Sequence, residues 1–443
     1  MSKYKCYRSA YMPPEVWCAK SAAELQRLPL DKRRLRGDVI SASYGPGDDA
    51  LLGLEDCTNN NVSSKKRSGK DRVEWGRSSR KACGMAISLY DRNPVTGKVS
   101  GDPIADCFAQ VSRTESSLIV IADGVNWGER SRLAASCAVT AAVDYLTNKL
   151  FLDNDVPSST QEVLDLMRKA FDLAHELILQ HGAGLTTLGI AAILPIEHST
   201  QYAVCSVNVG DSLAYVFSKR YGMNELSIGS HDITVERDIK DAGGAIGPVN
   251  GEEPYLTNLT FCLTTCEPGD IVFLTTDGVS DNYDPVVTKL AVPACAEPLL
   301  QSVDTKPAML PCERHLFAMK GMERVIHEYE LETHLDISSK ELCLALTQHI
   351  VSLTSQKRLV IENPVYYNRR YKAKERRKIE DTIRNTIRTL PGKLDHATVV
   401  AYEAGVYTDE SSPNEAAQIL AASMSATSFC SSPKSHFSHR PAT

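Results

Sequence analysis

The chain has 443 residues, 42% of them hydrophobic, and a formal net charge of −6. That length allows one large domain with extensions or two domains, and the apolar share supports a sizeable core. The acidic balance gives no general electrostatic case for a nucleic-acid partner, and no apolar run is long enough to cross a bilayer. Thirteen cysteines are scattered through the chain without a CxxC pair or a Cys/His ligand spacing. With no secretory h-region at the start, they read as reduced thiols, and the expected location is cytoplasmic or nuclear.

Residues 1–80 are poor in periodic patterning. Loop-like stretches (Tyr44–Asp49, Asn59–Asn61) precede a basic run of Lys65, Lys66, Arg67, Lys70, Arg72, Arg77, Arg80 and Lys81. This segment reads as a basic, partly flexible extension with a solvated surface. A domain over 81–404 begins with a strand from Cys83 to Tyr90. Turns follow at Asp91–Pro94 and Thr96–Lys98, and then comes Asp106 directly before Cys107-Phe108. Leu118–Ala122 is a short buried strand that ends abruptly in Asp123-Gly124. After Gly128 the period changes, and Leu133, Cys137, Ala141 and Tyr145 predict a helix. Leu164, Met167, Phe171, Ala174 and Ile178 predict a second helix, closed near Gly182.

Gly184-Leu185-Thr186-Thr187 leads into another apolar strand. Tyr202–Val207 alternates, breaks at Asn208–Ser212 and resumes as Leu213–Phe217, which predicts a hairpin with Asp211 in its turn. Ile271–Thr276 is a strand ending in Asp277-Gly278, with Asp281 four residues on. The mixed, Pro-containing residues 285–335 read as an insertion. Glu341–Ser355 patterns as a helix, and 369–388 as one exposed, mostly basic helix. Asp395-His396 opens a last strand, Ala397–Tyr402. The Ser/Ala-rich residues 405–443 read as a disordered tail.

Acids thus recur at strand ends. Each alone is an ordinary turn former. Brought together in three dimensions they would repel one another and demand a compensating cation, and hard carboxylate oxygens suit Mg²⁺ or Mn²⁺.

The ordered set Asp123-Gly124, Gly210-Asp211-Ser212, Asp277-Gly278-Val279-Ser280-Asp281 and Asp395-His396 resembles the metal-dependent type 2C Ser/Thr protein phosphatase family. Gly184-Leu185-Thr186-Thr187 is similar to that family's Gly-Ser/Thr-Thr strand entry. His231-Asp232 through Ala242-Gly243-Gly244 is similar to its flap. The resemblance covers 81–404. It implies an α+β fold, a four-layer αββα sandwich of two mainly antiparallel β-sheets flanked by helices. It also implies two Mg²⁺ or Mn²⁺ ions on Asp106, Asp123, the Gly124 carbonyl, Asp277 and Asp395. Asp211 and Asp281 match positions that hold a third, looser ion. The implied reaction is hydrolysis of phosphoserine or phosphothreonine in a protein by metal-activated water.

This chain departs from the family pattern at four points. Val125 stands where the family has a proton-donating histidine, Ala105 stands where it has a first acid, and Gly101 stands near its phosphate-binding arginine. Arg92 or Lys98 on the neighbouring turns are the candidate replacements for that arginine. His396 replaces an asparagine and is the remaining candidate for a proton donor, beside Asp123 and Asp277 as catalytic residues. The expected activity is a divergent protein phosphatase acting on a phosphorylated protein, with no membrane partner. The alternative is a pseudophosphatase, a phosphoprotein-binding or regulatory module that keeps the fold without efficient catalysis.

Overall fold

The run Ser117–Ala122 is apolar, rich in β-branched residues and buried at every position. It therefore takes the central place of a sheet whose two faces are both covered. In the computed structural model, which describes residues 14–46, 75–76, 79–236, 241–295, 306–367 and 371–407, this strand is β5 of a seven-stranded antiparallel sheet. From edge to edge the sheet runs β1 (Trp17–Ala19), β12 (Thr260–Cys266), β7 (Tyr202–Val209), β6 (Leu188–Pro195), β5, β4 (Cys107–Arg113) and β2 (Val39–Gly45). The second sheet has five strands in the order β3 (Ala82–Ser88), β16 (His396–Glu403), β13 (Ile271–Thr275), β8 (Leu213–Ser218) and β9 (Gly222–Glu225). A ribbon of β10 (Ala245–Asn250) and β11 (Glu253–Tyr255) and a short pair, β14 (Val292–Pro293) with β15 (Ala308–Met309), complete the strands.

Strand periodicity sorts the core into three layers. Ile119 and Ile121 of β5 pack with Val272 and Leu274 of β13 between the two sheets. Their neighbours Leu118 and Val120 face the other way, onto helices Glu129–Thr147 and Thr160–Gln180. On the far side, Phe273 of β13 packs under helices Pro311–Thr333 and Ser339–Ile361. The architecture is therefore the expected four-layer αββα sandwich.

Four sequence expectations change in detail. Residues 202–217 are not a hairpin: β7 pairs with β6 and β12 in the large sheet, while β8 pairs with β13 and β9 in the small one. Both strands are fully buried, and the turn carries the chain from one layer to the next. The large sheet also draws on residues before 81, because β1 and β2 form its two edges. The mixed composition after 285 conceals the 23-residue helix Pro311–Thr333, whose buried Met322, Val325 and Ile326 help to close the second core. Finally, Arg80 and Lys81, at the end of the basic run, pair at 3.1 and 2.5 Å with Glu341 and Glu403 and so staple the start of β3. Residues 65–72 of that run, and the tail from 408, lie outside the described residues. Helix Ala373–Thr389 buries no side chain, as its charge pattern predicts.

Phe273 is fully buried and stacks on Tyr215 with ring centroids 5.0 Å apart. Phe273→Ala should cost about 3–5 kcal/mol, through lost burial plus the residual cavity. Urea denaturation should show a lower midpoint at unchanged slope. A loss below about 1 kcal/mol would mean that this layer is not a packed core.

Candidate metal centre

Five strand-end acids meet where the two sheets open at one end. Asp123 follows β5, and its backbone is pinned on both sides. Its N–H donates to Thr187 Oγ1 at 3.0 Å, and its carbonyl accepts from the Thr186 hydroxyl at 2.8 Å and the Thr187 N–H at 2.9 Å. The Gly184–Thr187 segment is thus the clamp that holds Asp123. Gly124 has no room for a side chain: a Cβ would sit 2.5 Å from the Ser131 carbonyl oxygen and 2.8 Å from that of Ala105. Gly278 is tighter still, its would-be Cβ lying 1.7 Å from the His396 carbonyl oxygen. The two Asp-Gly pairs are therefore points where backbones must touch, which draws the strand ends together.

Asp106, only 1% exposed, accepts a 2.8 Å hydrogen bond from Thr276 on Oδ2, while its buried Oδ1 has no hydrogen-bond partner among the described residues. Asp277 opens the one-turn helix Asp277–Ser280, and Asp281 lies one turn further on, so both carboxylates project to the same side. Asp395 accepts from the Tyr90 hydroxyl at 3.0 Å and from the His396 N–H at 2.9 Å. Asp211, in the turn that changes layers, adds its negative field to Asp123 and Asp277.

The sequence reading missed one residue of this centre, Lys393. Its ammonium lies 2.5 Å from Asp277 Oδ2, 2.9 Å from Asp281 Oδ2 and 3.0 Å from Asp395 Oδ2. The placement is built in. The Lys393 N–H donates to Asn282 Oδ1 at 2.8 Å, and Asn282 Nδ2 donates back to the Lys393 carbonyl at 3.0 Å and to the Gly278 carbonyl at 2.7 Å. Burial opposes the charge on Lys393, but Asp281, Asp277 and Asp395 outweigh it and raise its pKa well above the ordinary lysine value. The available signal was a lysine two residues before a strand-opening acid.

On the other side of the cluster the charge is uncompensated. Burial, with the charge of Asp395 adding to it, raises Asp106 to about 7, although its bond to Thr276 pulls the other way. Asp123 is pushed well above the usual carboxylate range, by desolvation first and then by Asp106, Asp277, Asp395 and Asp211. Two hard acids at Asp106 and Asp123, one with an orphaned oxygen, fit a divalent ion such as Mg²⁺ or Mn²⁺. At Asp277, Asp281 and Asp395 the same role is already filled by Lys393.

The residues considered for proton and phosphate handling are placed differently. His396, 3% exposed, accepts the Ala105 N–H on Nδ1 at 3.2 Å and turns its other edge to the Gly101 backbone. Burial lowers its pKa, so this imidazole is a neutral brace of the 101–105 loop. Arg92 spends its guanidinium on the Gly97 carbonyl at 2.9 Å. Val125 has no donor side chain. Trp127, 64% exposed, covers the rim and donates at 2.7 Å to the same Tyr90 hydroxyl that binds Asp395.

Residues 97–316 match the family profile described as "Protein phosphatase 2C". The chain is 47% identical over 238 residues to the PP2C-like domain-containing protein CG9801 of Drosophila melanogaster, covering 53% of this chain and 33% of that protein. The matched part therefore spans about a third of that relative's length. Among solved structures, the S. agalactiae serine/threonine phosphatase aligns at 14% identity with a TM-score of 0.35, over 73% of this chain and 99% of that one. Stp1 from Staphylococcus aureus aligns at 12% with a TM-score of 0.35, over 75% and 98%.

A raised folded-state pKa fixes the sign of a pH effect. Asp106 and Asp123 hold protons in the folded chain that an unfolded aspartate, with a pKa of about 3.9, has already lost. In chelator, the contribution of Asp106 to stability is full below about pH 4 and is lost as pH rises through about 7, and that of Asp123 falls in the same direction. Asp106→Asn removes one of these carboxylates, so its urea-derived stability in EDTA should fall less between about pH 5 and 7.5 than that of the wild type. An equal or steeper fall in the variant would show that Asp106 is not carrying the strain.

Proposed function

We propose that the chain is a divergent member of the protein phosphatase 2C family and that its domain works as a regulatory pseudophosphatase that engages a phosphorylated protein with little or no turnover. The observation that carries this reading is the Lys393 ammonium, held by three carboxylates that a two-ion phosphatase would need for metal. A divalent pair at these acids would supply an activated water and neutralise charge on the phosphate. A single ammonium offsets only part of the charge of its three acids, and it cannot lower the pKa of a bound water in the same way. Val125 removes the donor that would protonate the leaving oxygen, a loss of about two to four orders of magnitude in rate. His396 does not replace it, since it is 3% exposed, braces Ala105 through Nδ1 and turns Nε2 to the Gly101 backbone.

One observation favours the second reading, a metal-dependent phosphatase. Asp106 and Asp123 remain uncompensated beside the lysine, and Asp106 Oδ1 has no hydrogen-bond partner among the described residues. In that reading Mg²⁺ or Mn²⁺ binds at Asp106 and Asp123, and Lys393 swings out to admit a second ion.

Calorimetric titration with Mn²⁺, run beside phosphopeptide hydrolysis, separates the two. For Lys393→Met, Mn²⁺ affinity should rise at least about tenfold, because roughly 1.4 kcal/mol or more of ammonium displacement is removed. The metal-free variant should lose about 3–5 kcal/mol of stability, since acids once paired are left buried together. Wild type should turn over phosphopeptide no faster than Asp123→Asn. Clear wild-type hydrolysis abolished in Asp123→Asn would refute the pseudophosphatase reading, and unchanged Mn²⁺ affinity in Lys393→Met would refute the role given to the lysine.

A further inference from the structure

A second cluster of metal-ligating side chains lies apart from the acids. Glu225 ends β9, is 5% exposed, and projects between two imidazoles. Its Oε1 accepts from the Ser227 hydroxyl at 2.7 Å and lies 2.7 Å from His231 Nε2. Its Oε2 is buried, makes no hydrogen bond among the described residues, and lies 3.3 Å from His315 Nε2. The three ligand atoms all lie within 4.8 Å of one another. The histidine side chains keep 26% and 14% of their surface, on the wall of a cleft shared with Ser280 and Arg314.

We infer that Glu225, His231 and His315 form a transition-metal site, with Zn²⁺ as its fitting occupant. The geometry suits that ion. Zinc binds imidazole nitrogen and carboxylate oxygen at about 2.0–2.2 Å in a tetrahedron, so its ligand atoms stand roughly 3.3 Å apart, as Oε2 and His315 Nε2 do. Two imidazoles and one carboxylate select zinc-like ions over Mg²⁺, which prefers an all-oxygen shell. The site is also braced as metal sites are, with the Ser227 hydroxyl fixing the carboxylate from behind. The cleft leaves the fourth position open to water or to a group from outside. His231 opens the segment that leads to Gly243-Gly244, and His315 sits on helix Pro311–Thr333. A bound ion would therefore tie that segment to the helix beside Asp281, which lines the same cleft.

The experiment uses the full chain, stripped with chelator and held in millimolar Mg²⁺ so that the acid cluster competes only for that ion. Titration with ZnCl₂ should show one tight equivalent, Co²⁺ should give the intense visible bands of a tetrahedral site, and Zn²⁺ should raise the melting temperature. Affinity should fall by about tenfold or more in His315→Ala and in Glu225→Gln, while Asp123→Asn, and Cys18→Ser at the thiol that donates to the Leu226 carbonyl, keep it. Because Glu225 is buried, the milder His315→Gln serves as the variant expected to fold, and it should lose the zinc-dependent rise in melting temperature. No zinc uptake by the wild type would overturn the inference. So would uptake that persists in the histidine variants, and uptake that disappears in Asp123→Asn or Cys18→Ser would place the ion at the acids or at a thiol instead.

Discussion

The structure is arranged around a repulsion. Asp106, Asp123, Asp277, Asp281 and Asp395 are delivered from four strand ends to one place, and like charges there can coexist only with a cation among them or with some of them protonated. Three of the five share the one ammonium of Lys393, which offsets part of their charge from within the chain. The remaining two, Asp106 and Asp123, face no such cation, and their acidity is suppressed, as is that of Asp277 by burial and by Asp281 in spite of the lysine. The cluster is thus split into a half solved by a lysine and a half left for a proton or a metal ion.

The packing explains why the acids cannot simply move apart. Gly278 lets the Asp277 turn press against the His396 carbonyl, and Gly124 lets the Asp123 loop press between the Ser131 and Ala105 carbonyls. Asn282 bonds the Lys393 backbone to the same turn. These contacts sit at the ends of fully buried strands, so relaxing them would disturb the core between the sheets. Fold energy is what holds the charges together, and the ammonium is what makes that arrangement tolerable.

The strands, the two helices after Gly128 and the ordered acids were readable because burial on both faces writes long apolar runs, and because an Asp-Gly at a strand end is a local signature. Partner choice was not readable. The pattern Tyr202–Phe217 is that of a hairpin, yet each strand is buried on both faces in a different sheet, and local spacing cannot tell those cases apart. The 311–333 helix was hidden by its own composition, since only a few of its residues are buried. His396 looked available for chemistry because nothing in the sequence reveals that the Ala105 N–H occupies its Nδ1. Lys393 was missed for a related reason: a lysine near a turn is ordinarily solvated, and only the convergence of three distant carboxylates gives it a role.

The histidine–glutamate cluster and the acid cluster show the same constraint solved with different donors. In both, cationic or hydrogen-bonding groups from distant segments face buried carboxylates: Lys393 in one, His231 and His315 in the other. The donors differ in what they can exchange for. A lysine has only its proton and its place to yield, so an ion can enter its half only by evicting it. An imidazole becomes a ligand by giving up a proton, so an ion can enter between Glu225 and its histidines without moving them far. Metal responsiveness in this domain is therefore expected to be uneven, low where Lys393 stands and higher where the two histidines stand, although both walls face a common cleft through Asp281.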